Sequence, residues 1–106
     1  MANGRLGAAD IAASTNTSLY TVPVDTFSVV SLSLCNRGNQ AVNVRVAVAS
    51  ASTPTNAEWI EYDTELLGKG VLERTGIVMD AGKILVVYSN AANVSAVTMG
   101  IETSSV

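Results

Sequence analysis

Histidine is absent from the chain and cysteine occurs once, at Cys35. The commonest general base and the commonest metal ligand are therefore missing together. A Ser-His-Asp or Cys-His arrangement is excluded by inventory, and no lysine stands near a serine at a spacing that suggests a Ser-Lys pair. A lone cysteine closes no intramolecular disulfide, which fits synthesis in a reducing compartment, and Cys35 itself reads as a small hydrophobe within a strand.

Charge is scarce as well. Asp, Glu, Lys and Arg make up 14% of the residues, against roughly 25% in ordinary soluble domains. Much of the surface must then be Ser, Thr, Asn or apolar, which points to a surface covered in part by a partner. The net charge is −3. The basic residues Arg5, Arg37, Arg45, Lys69, Arg74 and Lys83 are scattered, so there is no stripe for a phosphate backbone and no nucleic-acid partner is expected. No apolar run reaches the roughly 18 residues of a membrane span. Residues 1–14 hold no signal-peptide core, and folding in a cytosol without export or membrane contact is the expectation.

What the sequence does hold is short, branched hydrocarbon. Hydrophobic residues reach 48% while aromatics are only 5%, so the core is built mainly from Val and Ala, a composition that suits strands. The length of 106 residues matches one domain with one core.

Residues 1–17 are rich in Ala, Gly, Asn, Ser and Thr and show no sustained period; they read as an N-terminal arm anchored by Leu6 and Ile11. From Ser18 short apolar runs alternate with turn residues at intervals of roughly ten, and residues 18–106 read as a β-sandwich domain. Leu19 to Val22 is a short strand stopped by Pro23. In Thr26 to Asn36, Val30, Leu32 and Leu34 alternate with Ser31, Ser33 and Cys35; in Ala41 to Ala49, Val42, Val44, Val46 and Val48 alternate with Asn43, Arg45 and Ala47. The polar turn at residues 36–40 between them suggests a hairpin. Further strands are expected at Glu58 to Leu66, Val71 to Met79, Lys83 to Tyr88 and Val94 to Glu102, the run at Lys83 to Tyr88 being continuous enough for a central strand covered on both faces. The fold class that follows is all-β: an antiparallel two-sheet sandwich of about seven strands, immunoglobulin-like or jelly-roll-like, with an extended N-terminal arm.

The only concentration of ionisable groups is Glu58, Glu61, Asp63 and Glu65. Paired carboxylates serve glycosidases and calcium sites. In an unbroken strand, however, Glu61, Asp63 and Glu65 share one face opposite Ile60 and Tyr62, as a solvated sheet face would. Asp80-Ala81-Gly82 offers a single carboxylate, and the glycines near the N-terminus follow no strand, so neither a calcium loop nor a phosphate loop is expected. No catalytic residue, cofactor or metal site is assigned. Trp59 reads as a core or interface residue, with sugar stacking as the alternative.

Several phrases carry a resemblance: Asn3-Gly4-Arg5-Leu6-Gly7-Ala8-Ala9-Asp10, Tyr20-Thr21-Val22-Pro23, Leu34-Cys35-Asn36-Arg37-Gly38, Glu58-Trp59-Ile60-Glu61-Tyr62-Asp63 and Leu72-Glu73-Arg74-Thr75-Gly76-Ile77. Together they resemble small virion structural proteins of tailed bacteriophages, cyanophages in particular. The resemblance implies a non-enzymatic capsid decoration or cement protein that assembles in the host cytoplasm, binds the phage major capsid protein or other virion proteins, and forms a homo-oligomer, a trimer being favoured by lattice symmetry. Its contacts would come from Arg5, Leu6 and Ile11 of the arm and from Arg37 and Asn39 of an exposed turn. The alternatives are a tail, collar, baseplate or fibre-associated module, and a carbohydrate-binding module for host attachment.

Overall fold

A computed structural model describes residues 2–106. Eight strands follow one another: β1 (Asn3–Ile11), β2 (Thr17–Thr21), β3 (Thr26–Asn36), β4 (Val42–Ala49), β5 (Trp59–Leu66), β6 (Val71–Met79), β7 (Ile84–Ser89) and β8 (Val94–Ser104), with a single 3-10 turn at Asn56–Glu58 before β5. They form two antiparallel four-stranded sheets of order β1-β8-β3-β6 and β2-β7-β4-β5. Four of the pairings, β1 with β8, β2 with β7, β3 with β6 and β4 with β5, are those of one long hairpin whose tip is the β4–β5 connection. Rolling that hairpin into two layers adds the contacts β3–β8 and β4–β7. This is jelly-roll topology.

Between the layers lie the alternate residues that the strand patterns mark: Val30, Leu32 and Leu34 from β3; Val42, Val44 and Val46 from β4; Leu85 and Val87 from β7. Each such side chain contributes about 1.5–3 kcal/mol by leaving water. β7 is an inner strand, as its continuous apolar run suggests. Its outward Val86 is fully buried under a second cluster made with Ala47, Ala49, Trp59 and Ile84.

The structure corrects the reading of the sequence at three places. The residues expected as an arm are strand β1, an edge strand in register with β8 from Asn3 opposite Ile101 to Ile11 opposite Val94, which makes eight strands instead of about seven. Its period is hidden by a bulge between Arg5 and Gly7 and by its small residues. Gly7 is there for close approach: a Cβ would lie 2.4 Å from the Leu19 carbonyl oxygen of β2. Second, β3 and β4 are not a hairpin; they belong to different sheets, and their valine faces meet across the core. Period-two patterning marks the inward face of a strand and leaves its hydrogen-bonded neighbour open. Third, β5 does not alternate cleanly, for a reason given below.

The two layers are also tied by polar groups. The Tyr20 hydroxyl of β2 lies 2.6 Å from Ser28 Oγ of β3 and donates to Glu102 Oε2 of β8 at 2.5 Å, and Glu102 Oε1 accepts from the Ala2 amide at 2.9 Å. Burial, reinforced by the neighbouring Glu102 carboxylate, pushes the Tyr20 phenol up to about 12. Hydrogen bonds from Tyr20 and then from the Ala2 amide hold Glu102 below the usual carboxylate range. At the other end of β3, buried Asn36 donates through Nδ2 to the carbonyls of Gln40 at 2.7 Å and Leu66 at 3.1 Å, while its Oδ1 accepts from the Gly38 amide at 2.9 Å. That side chain shapes the turn that carries Arg37 and Asn39.

Candidate functional site

The residues expected to contact a partner do not converge. Ile11 is 1% exposed and Leu6 packs partly buried against the same cluster, so both serve the chain's own core. Arg5 is exposed on β1, opposite Met99. Arg37 is engaged within the chain: its guanidinium reaches Asp10 at 2.8 Å and its carbonyl accepts from Lys69 Nζ at 2.7 Å. Asn39 is exposed and lines a shallow opening of about 250 Å³ with Asn36, Val42 and Ala91.

The acidic segment is divided by a bulge. Val44 faces Thr64 and Val46 faces Glu61, so Arg45 stands opposite both Tyr62 and Asp63, the latter at φ 52°. The extra residue turns Glu61 to the inner side, where its carboxylate accepts from Thr64 Oγ1 at 2.8 Å and pairs with Arg74 of β6. That pair links the open edges of the two sheets beside a groove of about 260 Å³ lined by Val48, Ile60, Arg74 and Ile77. Asp63 stays outside and takes Arg45 at 2.6 and 3.2 Å, a pairing that lowers its pKa. Glu58 accepts the amides of Thr55 at 2.8 Å and Ser50 at 3.0 Å, which lower its pKa and fold the β4–β5 loop back on itself. Glu58, Glu61 and Asp63 thus have three different surroundings, and of the common solvated face expected for Glu61, Asp63 and Glu65 only the exposed Asp63 and Glu65 remain, Glu61 having turned inward. Among the described residues no group of three or more His, Cys, Asp or Glu side chains is placed to hold a metal ion.

On the outer face of the β2-β7-β4-β5 sheet, the Arg45 guanidinium lies 4.1 Å from the centre of the Tyr62 ring and 4.8 Å from that of Tyr88. Trp59 is half-buried and meets Tyr62 edge-on at 5.6 Å. One ring face of Tyr62 is thus taken by a cation already paired to Asp63.

The opposite outer face, on the β1-β8-β3-β6 sheet, is different in kind. Phe27 and Val29 of β3, Val78 of β6, and Met99 and Ile101 of β8 are between 37% and 68% exposed. Register makes them one patch: Val78, Val29 and Ile101 share a rung, with Phe27 opposite Thr103 and Ser31 opposite Met99 on either side. The outward residues of the two inner strands, Phe27, Val29, Ser31, Ser33 and Cys35 with Ser95, Val97, Met99, Ile101 and Thr103, include no charge. Arg5 and Asp10 on β1 and Glu73 on β6 stand only at the edges. Cys35 is a free, half-buried thiol on this face. Large exposed apolar patches with polar rims mark protein contact surfaces.

No family model matches the chain, and no curated protein matches it either.

Proposed function

We propose that this chain is a non-enzymatic structural protein of a phage virion, a jelly-roll module that decorates and stabilises the capsid shell. The observation that carries the reading is the apolar face of the β1-β8-β3-β6 sheet, free of charge along its two inner strands. A domain with such a face works covered by protein, as repeated copies on a lattice are. The small number of charges and the resemblance of several phrases to those of tailed-phage virion proteins support the same reading. Jelly rolls recur among viral capsid domains, which agrees with the fold, although fold alone assigns no role.

The test is binding to capsids that lack accessory proteins. Purified chain added to expanded shells is expected to sediment with them and to raise the temperature at which they open. Sedimentation with isolated tails and not with shells would refute the decoration role, and copy number per particle, high for a shell protein and low for a tail part, gives an independent readout.

A further inference from the structure

We propose that the apolar face of the β1-β8-β3-β6 sheet is covered by a second copy of this chain, packed face to face about a two-fold axis parallel to the strands and running between β8 and β3. The inference rests on the reading of that face as one that works covered by protein, and it names the occupant.

The register of β3 against β8 supplies the first argument. Rotation about that axis lays β3 of one copy over β8 of the other and brings the two members of each rung into contact across the interface. Phe27 then faces Thr103, Ser31 faces Met99, Ser33 faces Val97, and Val29 faces Ile101. Three of those rungs set a large side chain over a small one, and the fourth sets two branched ones together, so the surface is complementary to itself.

Charge supplies the second argument. The same rotation brings β1 of each copy over β6 of the other. Arg5 lies on the Met99–Ser31 rung and Glu73 on the adjacent Val97–Ser33 rung, while Asp10, one rung beyond Glu73, is already neutralised by Arg37 of its own chain at 2.8 Å. One outward step along a strand is about 6.6 Å and facing sheets lie about 10 Å apart, within reach of an arginine side chain meeting a glutamate. The contact forms twice by symmetry. Two copies of charge −3 approach through a middle that carries no charge, with opposite charges at the rims.

The area is sufficient. A four-stranded face with strands about 4.8 Å apart and about nine residues long projects roughly 570 Å² before side-chain relief, so two copies bury roughly 1,100 Å², above the roughly 1,000 Å² total that a specific interface needs. Sheets stacked in this way repeat the sandwich packing already present inside the chain. A contact of one patch with itself closes at two, so the unit built on this face is a dimer, and a trimer would need another surface.

Light scattering after gel filtration, with the full chain at micromolar concentration, tests the proposal. The wild type is expected at twice the chain mass of 10.9 kDa. Val29→Glu places two carboxylates in the closed centre and is expected to weaken the dimer on the order of 100-fold or more. Because Val29 is exposed in the single chain, its far-ultraviolet dichroism stays unchanged. Arg5→Glu is expected to weaken association, and Arg5→Glu with Glu73→Arg to restore it. A wild type that stays monomeric at 100-fold its working concentration, or a dimer indifferent to Val29→Glu, overturns the inference, as does a charge swap that fails to rescue. A monomer that still binds shells defeats this inference and leaves the decoration reading in place; a dimer that ignores shells does the reverse.

Discussion

Replacing Tyr20 by Phe removes one oxygen from the junction between the layers and leaves the ring that packs in the core. The lost hydroxyl bonds both Ser28 Oγ, at 2.6 Å on a residue with no exposure, and Glu102 Oε2, at 2.5 Å. A hydrogen bond to a charged group is worth about 1.5–3 kcal/mol, and a buried hydroxyl left without its partner costs about 1–3 kcal/mol. These contributions overlap, so the expected loss is about 3 kcal/mol, which in a domain of this size lowers the melting temperature by roughly 10–20 °C. Urea unfolding at neutral pH measures it, with equal slopes confirming that the folded state is otherwise intact. The pH profile is a second readout. Folding holds the phenol neutral to about 12 against an ordinary 10.0, so the stability it contributes is present below pH 10 and is lost as pH rises toward the folded value. Tyr20→Phe is expected to lack that alkaline loss, and adding Ser28→Ala is expected to recover part of the deficit by removing the stranded partner. A single variant within about 0.5 kcal/mol of wild type, with an unchanged alkaline limb, would refute the reasoning, since that is the scatter of neutral surface changes.

Other outcomes follow from the same structure. Gly100→Val puts a Cβ 2.1 Å from the Val29 carbonyl oxygen and 2.8 Å from the Val30 Cα; because backbone cannot yield, a loss above about 4 kcal/mol is expected, seen as absence of soluble protein. Asn36→Ala strands the Gln40 and Leu66 carbonyls and the Gly38 amide, and about 2–3 kcal/mol in chemical denaturation is expected, with hydrogen exchange rising first in residues 36–40. Removing residues 2–11 takes away β1 and buried Ile11, so the truncated chain is expected to aggregate; a truncated chain as stable as the whole would return the segment to the status of an arm. Glu102 is held ionised below its ordinary pKa of 4.5. Its contribution is therefore present above that value and lost as pH falls through the folded one, and Glu102→Gln is expected to flatten the acid limb of the unfolding curve.

The strands from β2 to β8 were legible because short apolar runs, alternating in β3 and β4 and continuous in β7, recur between Gly, Asn and Pro turns. Three things were not legible, each for a local reason. β1 is an edge strand of small residues with a bulge after Arg5, so it shows no alternation. The bulge at Asp63 depends on a left-handed backbone angle that no glycine announces. On β8 the pattern points the wrong way: Val97, Met99 and Ile101 form the apolar series, yet the opposite series of Val94, Ala96, Thr98 and Gly100 faces the core. At Gly100 only a small group fits, because a Cβ would meet the backbone of Val29 and Val30 on β3. The outer patch was therefore present in the sequence as an apolar series of correct period, on a strand whose inner face carries the smaller residues. The beginning of β3 carries the matching sign, with Phe27 and Val29 outward and Val30 inward. As for the expected contacts, Arg5 is exposed on the edge strand, whereas Ile11 was hydrophobic for the ordinary reason of belonging to the core.

β8 sits between β1 and β3 and is the last strand of the chain. On a ribosome the opening strand would wait, without its sheet neighbour, until the six strands between them had been made. Nothing earlier in translation can substitute, because the opening segment faces its mate at about ninety positions' remove, from Asn3 to Ile101 and from Ile11 to Val94. Completion of this module is thus late, slow by the standards of local folding and sensitive to crowding among nascent copies. A producing cell that makes many copies at once would meet its greatest risk of tangling in that interval.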